Sequence, residues 1–259
     1  MPDTTMTAAP PSFRVGAVFG RSFELLFRDF GKFFGLSLLS YAPFLLAPFL
    51  LPTIVAGGAP LGLVGGVPPG RIIAGWAGGI ALLWMLLSVL CRAIILCGAF
   101  EQMRGKSFAV GESVKRGLAR FFPILGLILC MAFGAGLASL LFLVPGIIVI
   151  LMWYVAVPVC IVEGRGPIAS LGRSRELTKG SRWKLFGIVI VITVASFLVE
   201  VIVQFIFFAT AGKLLAGTAT FLCLALIAAY QSILAAVVYH DLRVAREGID
   251  VDRIAAVFD

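Results

Sequence analysis

The sequence predicts an all-α, polytopic membrane protein with six transmembrane helices arranged as three helical hairpins. The first observation behind this prediction is composition: 61% of the residues are hydrophobic, 13% are charged, and the mean hydropathy is +1.08. Soluble domains carry about a quarter charged residues. A soluble fold of 259 residues with this composition would expose large apolar patches. We therefore expect the bilayer to be its solvent.

The second observation is the length of the apolar runs. A helix needs about 20 apolar residues to cross about 30 Å of hydrocarbon. The third and fourth runs are separated only by Val144-Pro145-Gly146, and Pro followed by Gly predicts a tight turn there. A second short turn is predicted at residues 210–213, between the fifth and sixth runs. The predicted spans are about 33–55, 74–100, 121–143, 146–162, 185–210 and 215–239.

The third observation is the position of the basic residues. Of the 21 Lys and Arg residues, all but Arg71, Arg92 and Lys213 fall on one side of the predicted spans. Basic loops stay in the cytoplasm, so both termini and both long connectors are predicted to be cytoplasmic. The net charge of +8 is then explained by contact with anionic lipid headgroups, worth about 1 kcal/mol per cation near the surface. No nucleic-acid partner is expected, because the loops lack interleaved aromatic and basic residues.

One charged sequence motif, called the repeated phrase below, occurs twice in the chain. FGRSFELLFRDFGKFFG (19–35) and LGRSRELTKGSRWKLFG (171–187) share Gly, Arg, Ser, Glu, Leu, Lys, Phe and Gly at one fixed offset. Each copy precedes an apolar run, and the first has an apolar arc opposite a charged arc, which predicts an interfacial amphipathic elbow helix. Candidate contacts to anionic lipid or to a partner protein are Arg21, Arg173, Arg175, Lys179, Arg182 and Lys184.

A third segment, SFAVGESVKRGLARFFPILG (107–126), also places basic residues before an apolar run, but it lacks the residues that the other two segments share. The chain is therefore interpreted as three units, each an elbow followed by a helical hairpin: 12–100, 107–162 and 166–240. Duplication explains the shared phrase. The alternative to duplication is that Arg, Phe and Gly are favoured in any elbow helix that precedes a span.

Two charged residues fall inside predicted spans, Arg92 and Glu200. A charge at mid-bilayer costs at least about 2.5–3.5 kcal/mol, so it usually faces a bundle interior or a wet cavity. One hypothesis is that Arg92 and Glu200 pair and hold the first and third hairpins together. The alternatives are that Arg92 snorkels towards the cytoplasm and that Glu200 faces a pocket with Gln204.

The sequence offers little for catalysis. Its one histidine, His240, stands beside Asp241 at the end of the last span, and the five cysteines all lie in apolar runs without a CxxC pair. Zinc-site, P-loop and nucleophile-elbow motifs are absent. We predict no catalytic, cofactor-binding or metal-binding residues.

The predicted organisation is a disordered tail at 1–11, one membrane domain at 12–240 and a cytoplasmic tail at 241–259. Apolar residues at helical spacing predict a short amphipathic helix in the last segment: Val251, Ile254, Val257 and Phe258. That helix is expected to pack on the membrane face or to dock a partner.

Two stretches carry a family resemblance, PGIIVILMWYVAVPVCIVEGRGPIASLGRSRELTKGSRWKLFG (145–187) and YHDLRVAREGID (239–250). They resemble a bacterial family of six-span proteins named after the membrane domain of glycerophosphoryl diester phosphodiesterase. In the fused members a soluble catalytic domain follows the membrane part, and we expect that domain to be missing here. The resemblance implies a multi-pass protein of the bacterial inner membrane without assigned chemistry.

Two functions remain open at this stage. The first is a non-enzymatic membrane scaffold or accessory whose basic elbows engage anionic lipid or a partner protein, with a homo-oligomer as one form of partner. The second is a small transporter or lipid-handling permease with an interior polar site around Arg92 and Glu200. A continuous polar path would favour the transporter, and the spans offer few polar residues to line one.

Overall fold

The computed structural model describes residues 15–56 and 69–247, and these residues are helical with no strands. Predictions for residues 1–11 and 248–259 lie outside the described residues. The helices are α1 (Val15–Arg28), α2 (Phe30–Ala56), α3 (Pro69–Met103), α4 (Val110–Ala119), α5 (Phe121–Leu141), α6 (Leu143–Met152), α7 (Ala156–Val162), α8 (Pro167–Thr178) and α9 (Arg182–Glu247).

Five segments of the described chain are long and apolar enough to cross a membrane: Gly78–Met103, Phe121–Leu140, Val144–Val162, Arg182–Phe207 and Gly217–Glu247. They correspond to the second through sixth apolar runs of the sequence. The first predicted span, 33–55, is helical within α2, but the side chains of residues 44–56 lie outside the described part. The structure is thus that of an all-helical membrane protein, and the count of six spans stays a prediction.

The turn between α5 and α6 lies at Phe142, where the backbone is extended (φ −161°, ψ 150°). The prediction of a turn at residues 144–146 is wrong by two residues, because these residues form the first turn of α6. Pro145 is tolerated there, since the first amide groups of a helix have no intrahelical acceptor. Gly146 serves close packing instead: a Cβ atom on it would lie 2.1 Å from Ser139 Oγ and 3.0 Å from Ser139 Cα.

The fourth apolar run is interrupted at residues 153–155, between α6 and α7. Pro158 follows in the first turn of α7, and a proline lacks the N–H that an α-helix would donate to the carbonyl of Tyr154. The proline therefore fits the helix break that precedes it. Ala156 N–H bonds to Trp153 O at 3.0 Å instead of continuing the regular pattern.

Helix α9 runs for 66 residues without interruption, so the prediction of a non-helical turn at residues 210–213 is wrong. A straight helix of this length would extend about 100 Å. However, Arg246 near its end donates a hydrogen bond to the carbonyl of Lys179, just before its start. Thr193 and Gln231 also line one cavity. Helix α9 therefore reverses direction between these two residues.

Burial is concentrated at one end of the long helices. The buried core takes residues from 89–102 of α3 and 225–242 of α9, together with side chains of α1, α7 and the start of α9. By contrast, α5 and the first half of α9 leave large apolar side chains exposed, such as Phe133 at 81% and Phe205 at 76%. Such surfaces suit contact with lipid.

Candidate functional site: the elbow helices and the Arg92 cavity

The three predicted elbows are the short helices α1, α4 and α8, which we call the elbow helices. Each carries a serine two residues after a glycine, and all three serines are fully buried: Ser22, Ser113 and Ser174. The sequence analysis recognised the serine in the repeated phrase, but it missed Gly111-Glu112-Ser113 in the middle elbow. The signal was present as a Gly-x-Ser spacing, which is too short to be specific by itself.

Each buried serine finds an acceptor. Ser22 Oγ bonds to the Val18 carbonyl at 2.8 Å, and Ser113 Oγ lies 3.4 Å from the Glu101 carboxylate. Ser174 Oγ donates to the Met152 carbonyl at 2.8 Å. That carbonyl ends α6, where the break before Pro158 removes its regular helical donor. Elbow helix α8 therefore satisfies a backbone group that the proline break leaves open.

This role agrees with the buried face of α8. Its buried face consists of Ser170, Ser174, Leu177 and Thr178, so it is mainly polar. Its boundaries agree with the sequence, because Pro167 starts the helix and Gly180, with φ +86°, follows its end.

An arginine of each elbow helix pairs with a carboxylate near the end of a long apolar segment. Arg116 lies 3.1 Å from Glu101, Arg173 lies 3.2 Å from Glu163, and Arg21 lies 2.8 Å from Asp241. The second and third elbows thus bind the segment that precedes them in the chain, and the first elbow binds the last segment. Sequence reasoning missed these contacts because it treated the arginines as surface charges. The available signal was an acidic residue just after three of the apolar runs.

Arg173 is the most connected of these arginines. Besides Glu163, it contacts Glu176 at 3.6 Å and Glu247 at the end of α9. Tyr239 donates its hydroxyl proton to Glu163 at 3.1 Å. Only 18% of the Arg173 side chain is exposed, so this residue ties α8 to both neighbouring segments.

The predicted lipid or partner contacts therefore divide into two groups. Arg21 and Arg173 are ion-paired within the protein, and Arg182 is half-buried, with Nε making no hydrogen bond among the described residues. The exposed members are Arg175, Lys179 and Lys184.

Exposed apolar side chains accompany the elbow cations. Trp183 is 85% exposed beside Lys184, and Ile168 is 80% exposed on α8. Phe27 on α1 and Phe122 just after α4 are also exposed. This mixture of cations and apolar groups is typical of a membrane interface.

The junction between α1 and α2 is held by Asp29. Its carboxylate lies 2.9 Å from Lys32 Nζ and accepts a 2.5 Å hydrogen bond from Gln102. The hydrogen bond from Lys32 lowers the pKa of Asp29 below its usual value of 3.8, partial burial opposes this shift, and Gln102 adds to it. Lys32 also donates to the Phe108 carbonyl at 3.0 Å, so the junction contacts the loop before α4.

Arg92 and Glu200 do not form an ion pair with each other among the described residues. Arg92 lines a cavity of about 300 Å³, and Glu200 is not part of its wall.

The Arg92 cavity is formed by three parts of the fold. Arg92 comes from α3, Tyr154 from the break between α6 and α7, and both halves of α9 contribute through Thr193, Gln231 and Ser232. Ser232 donates to the Ala228 carbonyl at 2.8 Å. The other four polar side chains make no hydrogen bond with any described residue.

Within residues 15–56 and 69–247, no group of three or more His, Cys, Asp or Glu side chains is placed to hold a metal ion. Comparison with models of known protein families, with curated proteins and with solved structures finds no match to this chain.

Proposed function

We propose that this chain is a six-span protein of the bacterial inner membrane that acts as a non-enzymatic scaffold or accessory, with both termini in the cytoplasm. Its basic elbow helices engage anionic lipid headgroups. One observation carries this proposal: most acids around the elbows form ion pairs with other residues of the chain, while several cations remain exposed and unpaired among the described residues. The family resemblance of residues 145–187 leads to the same class of protein.

The charge arrangement gives the first step of the argument. Most carboxylates near the elbows form ion pairs with other residues of the chain: Asp29, Glu101, Glu112, Glu163, Glu176, Asp241 and Glu247. Glu24 of α1 is exposed and forms no ion pair with a described residue. Exposed cations that form no ion pair with a described residue are Arg28, Arg104, Lys106, Lys115, Arg175 and Lys179. The outer surface of the elbows is therefore cationic, as a surface facing anionic lipid requires.

Apolar exposure gives the second step. Ile168 and Trp183 flank the cations of α8 and the following loop. An indole ring prefers the headgroup level of a bilayer, and a cation beside it can contact phosphate. A soluble protein partner could also bind the cations. It would not explain why isolated apolar side chains beside them are almost fully exposed.

The test uses the fluorescence of Trp183 in the full chain. The other three tryptophans are replaced by Phe, and the protein is placed in lipid nanodiscs containing brominated phosphatidylglycerol or brominated phosphatidylcholine. We expect stronger quenching by the anionic lipid, and we expect salt to reduce the difference.

The matched variants decide the cause of that difference. Arg175→Gln with Lys179→Gln should reduce the preference for the anionic lipid. Lys213→Gln, on the side predicted to be non-cytoplasmic, should leave it unchanged. Equal quenching by both lipids in the parent protein would contradict the proposal.

A second candidate function is a small transporter or permease that uses the interior around Arg92 and Glu200. The Arg92 cavity favours it, because a polar cavity between long apolar helices is where transporters place their sites. The check is modification of Thr193→Cys by a water-soluble maleimide from each side of proteoliposomes. Modification from both sides supports alternating access, and modification from one side or none contradicts it.

A further inference from the structure

We propose that the Arg92 cavity is a binding site for a phosphate-bearing group, with the headgroup of an anionic phospholipid as its source. The site is separate from the exposed surface of the elbow helices, so it stands or falls independently of the lipid contacts proposed above.

Unmet hydrogen-bonding capacity is the first reason. The side chains of Arg92, Tyr154, Thr193 and Gln231 all border the cavity and bond to no described residue. Arg92 and Thr193 are exposed, and Tyr154 and Gln231 are half-buried, on segments that are predicted to lie in hydrocarbon. Polar groups are costly in that environment without hydrogen-bond partners, so these four side chains indicate that a bound molecule supplies the partners.

Charge is the second reason. The guanidinium of Arg92 carries a positive charge. No described carboxylate pairs with it, and Glu200 lies outside the cavity wall. A cation in an apolar segment is expensive unless an anion or water compensates it. An anionic ligand in the cavity would provide that compensation.

Donor chemistry selects phosphate among anions. Arg92 brings a planar fork of N–H groups, Gln231 an amide, and Thr193 and Tyr154 a hydroxyl each. A phosphate group accepts hydrogen bonds at several non-bridging oxygens in different directions, whereas a carboxylate has two oxygens in one plane. Donors from three parts of the fold match the first geometry better.

Size and surroundings agree with a headgroup. The cavity of about 300 Å³ is at the lower end of ligand pockets, which run from about 300 to 1,000 Å³. Apolar side chains share the wall with the polar ones, among them Leu96, Val157 and Ile192. They can contact the carbon atoms of a lipid next to its phosphate.

The experiment measures lipid retention by the full-length protein. Nanodiscs containing phosphatidylglycerol and phosphatidylcholine are dissolved in mild detergent, and native mass spectrometry counts the phospholipids that stay bound. We expect the parent protein to retain phosphatidylglycerol. Arg92→Gln should weaken that retention by about 10- to 100-fold, as expected for losing a hydrogen-bonding partner of a charged group.

Controls separate the cavity from the surface and from misfolding. Lys213→Gln removes a cation that belongs neither to the cavity wall nor to the elbow helices, and it should retain lipid like the parent. Gln231→Leu keeps the Arg92 charge and should weaken retention by a smaller factor. Arg92→Lys should restore part of it, because the charge returns without the planar fork.

A second arm identifies the source of the phosphate. Inorganic phosphate is titrated into protein in phosphatidylcholine nanodiscs, and the unfolding temperature is followed. A rise that Arg92→Gln abolishes would also support the phosphate site, and would assign it to a soluble ligand.

Three results would overturn the inference. The first is equal retention of phosphatidylglycerol by the parent and by Arg92→Gln, with no effect of inorganic phosphate on the parent. The second is an equal loss in Lys213→Gln, which would show that the loss does not depend on the cavity. The third is retention of a fatty acid but of no phosphate-bearing molecule.

Discussion

Ser174 Oγ donates a 2.8 Å hydrogen bond to the carbonyl oxygen of Met152, and this bond joins an elbow helix to the broken fourth apolar segment. The acceptor is open because α6 ends at Met152, ahead of Pro158 in α7. The serine of the repeated phrase therefore has a structural use in its second copy: it satisfies the backbone at a proline break.

Replacing Ser174 by Ala should destabilise the protein by about 1–3 kcal/mol, because a buried carbonyl loses its donor. Thr178 Oγ1, at 3.4 Å from the same oxygen, can recover part of this loss. The measurement is reversible unfolding by sodium dodecyl sulfate in mixed micelles. Ser107→Ala, at an exposed loop position, is the control and should change the unfolding free energy by less than about 0.5 kcal/mol. A loss no larger than that of the control would remove the role assigned to Ser174.

Two glycines of the α5–α6 hairpin should respond to alanine with opposite signs. Gly146→Ala should destabilise the protein, since its Cβ would meet the Ser139 backbone. Gly136→Ala has no atom within 4 Å of the new Cβ, and it should stabilise α5 by up to about 1 kcal/mol through helix propensity. Thermal unfolding in one detergent compares them. A stabilising Gly146→Ala would mean that α5 and α6 do not approach closely there.

Two glutamates that share Arg116 should differ in importance. Glu101 is 10% exposed and accepts hydrogen bonds from Arg116 at 3.1 Å, the Ala109 amide at 3.2 Å and Ser113 at 3.4 Å. Glu112 is 66% exposed and bonds to the same arginine at 3.2 Å. We expect Glu101→Ala to cost about 3 kcal/mol or more, and Glu112→Ala at most about 1 kcal/mol, in the same unfolding assay. Equal costs would contradict the docking of α4 through Glu101.

Asp29 gives a prediction for acid pH. Because its pKa is lowered in the folded protein, the unfolded chain takes up the proton first as the pH falls. The contribution of Asp29 to stability is therefore fully present above about pH 3.8 and is lost as the pH falls through the depressed pKa. Parent and Asp29→Asn should differ by a constant amount from neutral pH to about pH 4 and converge at lower pH. A difference that shrinks already between pH 7 and pH 5 would assign the effect to another group.

The sequence predicted the helical class and the approximate apolar segments, because hydrophobicity alone determines both. It placed the α5–α6 turn two residues late, because Pro145 fits a first helical turn and Gly146 is needed for a tertiary contact that sequence does not display. The non-helical turn at residues 210–213 was wrong for a related reason: these residues are helical, although α9 reverses direction between Thr193 and Gln231.

The candidate site was predicted less well. Whether Arg92 meets Glu200 depends on how each helix is rotated and tilted, and hydropathy does not encode either. Arg173 was predicted to contact lipid or a partner, but it pairs with Glu163 and Glu247 instead. Arg175 and Lys179 are exposed, as such contacts require. The repeated phrase correctly located the first and third elbow helices. Their charged residues are divided between internal ion pairs and the exposed surface.

The central claim is that the exposed elbow cations face the cytoplasm. Cysteine labelling tests it most directly, in a variant whose five native cysteines are Ala and in which Lys179→Cys supplies the only thiol. A membrane-impermeant maleimide is applied to intact cells and to permeabilised cells. We predict labelling only after permeabilisation; labelling of residue 179 in intact cells would contradict the account.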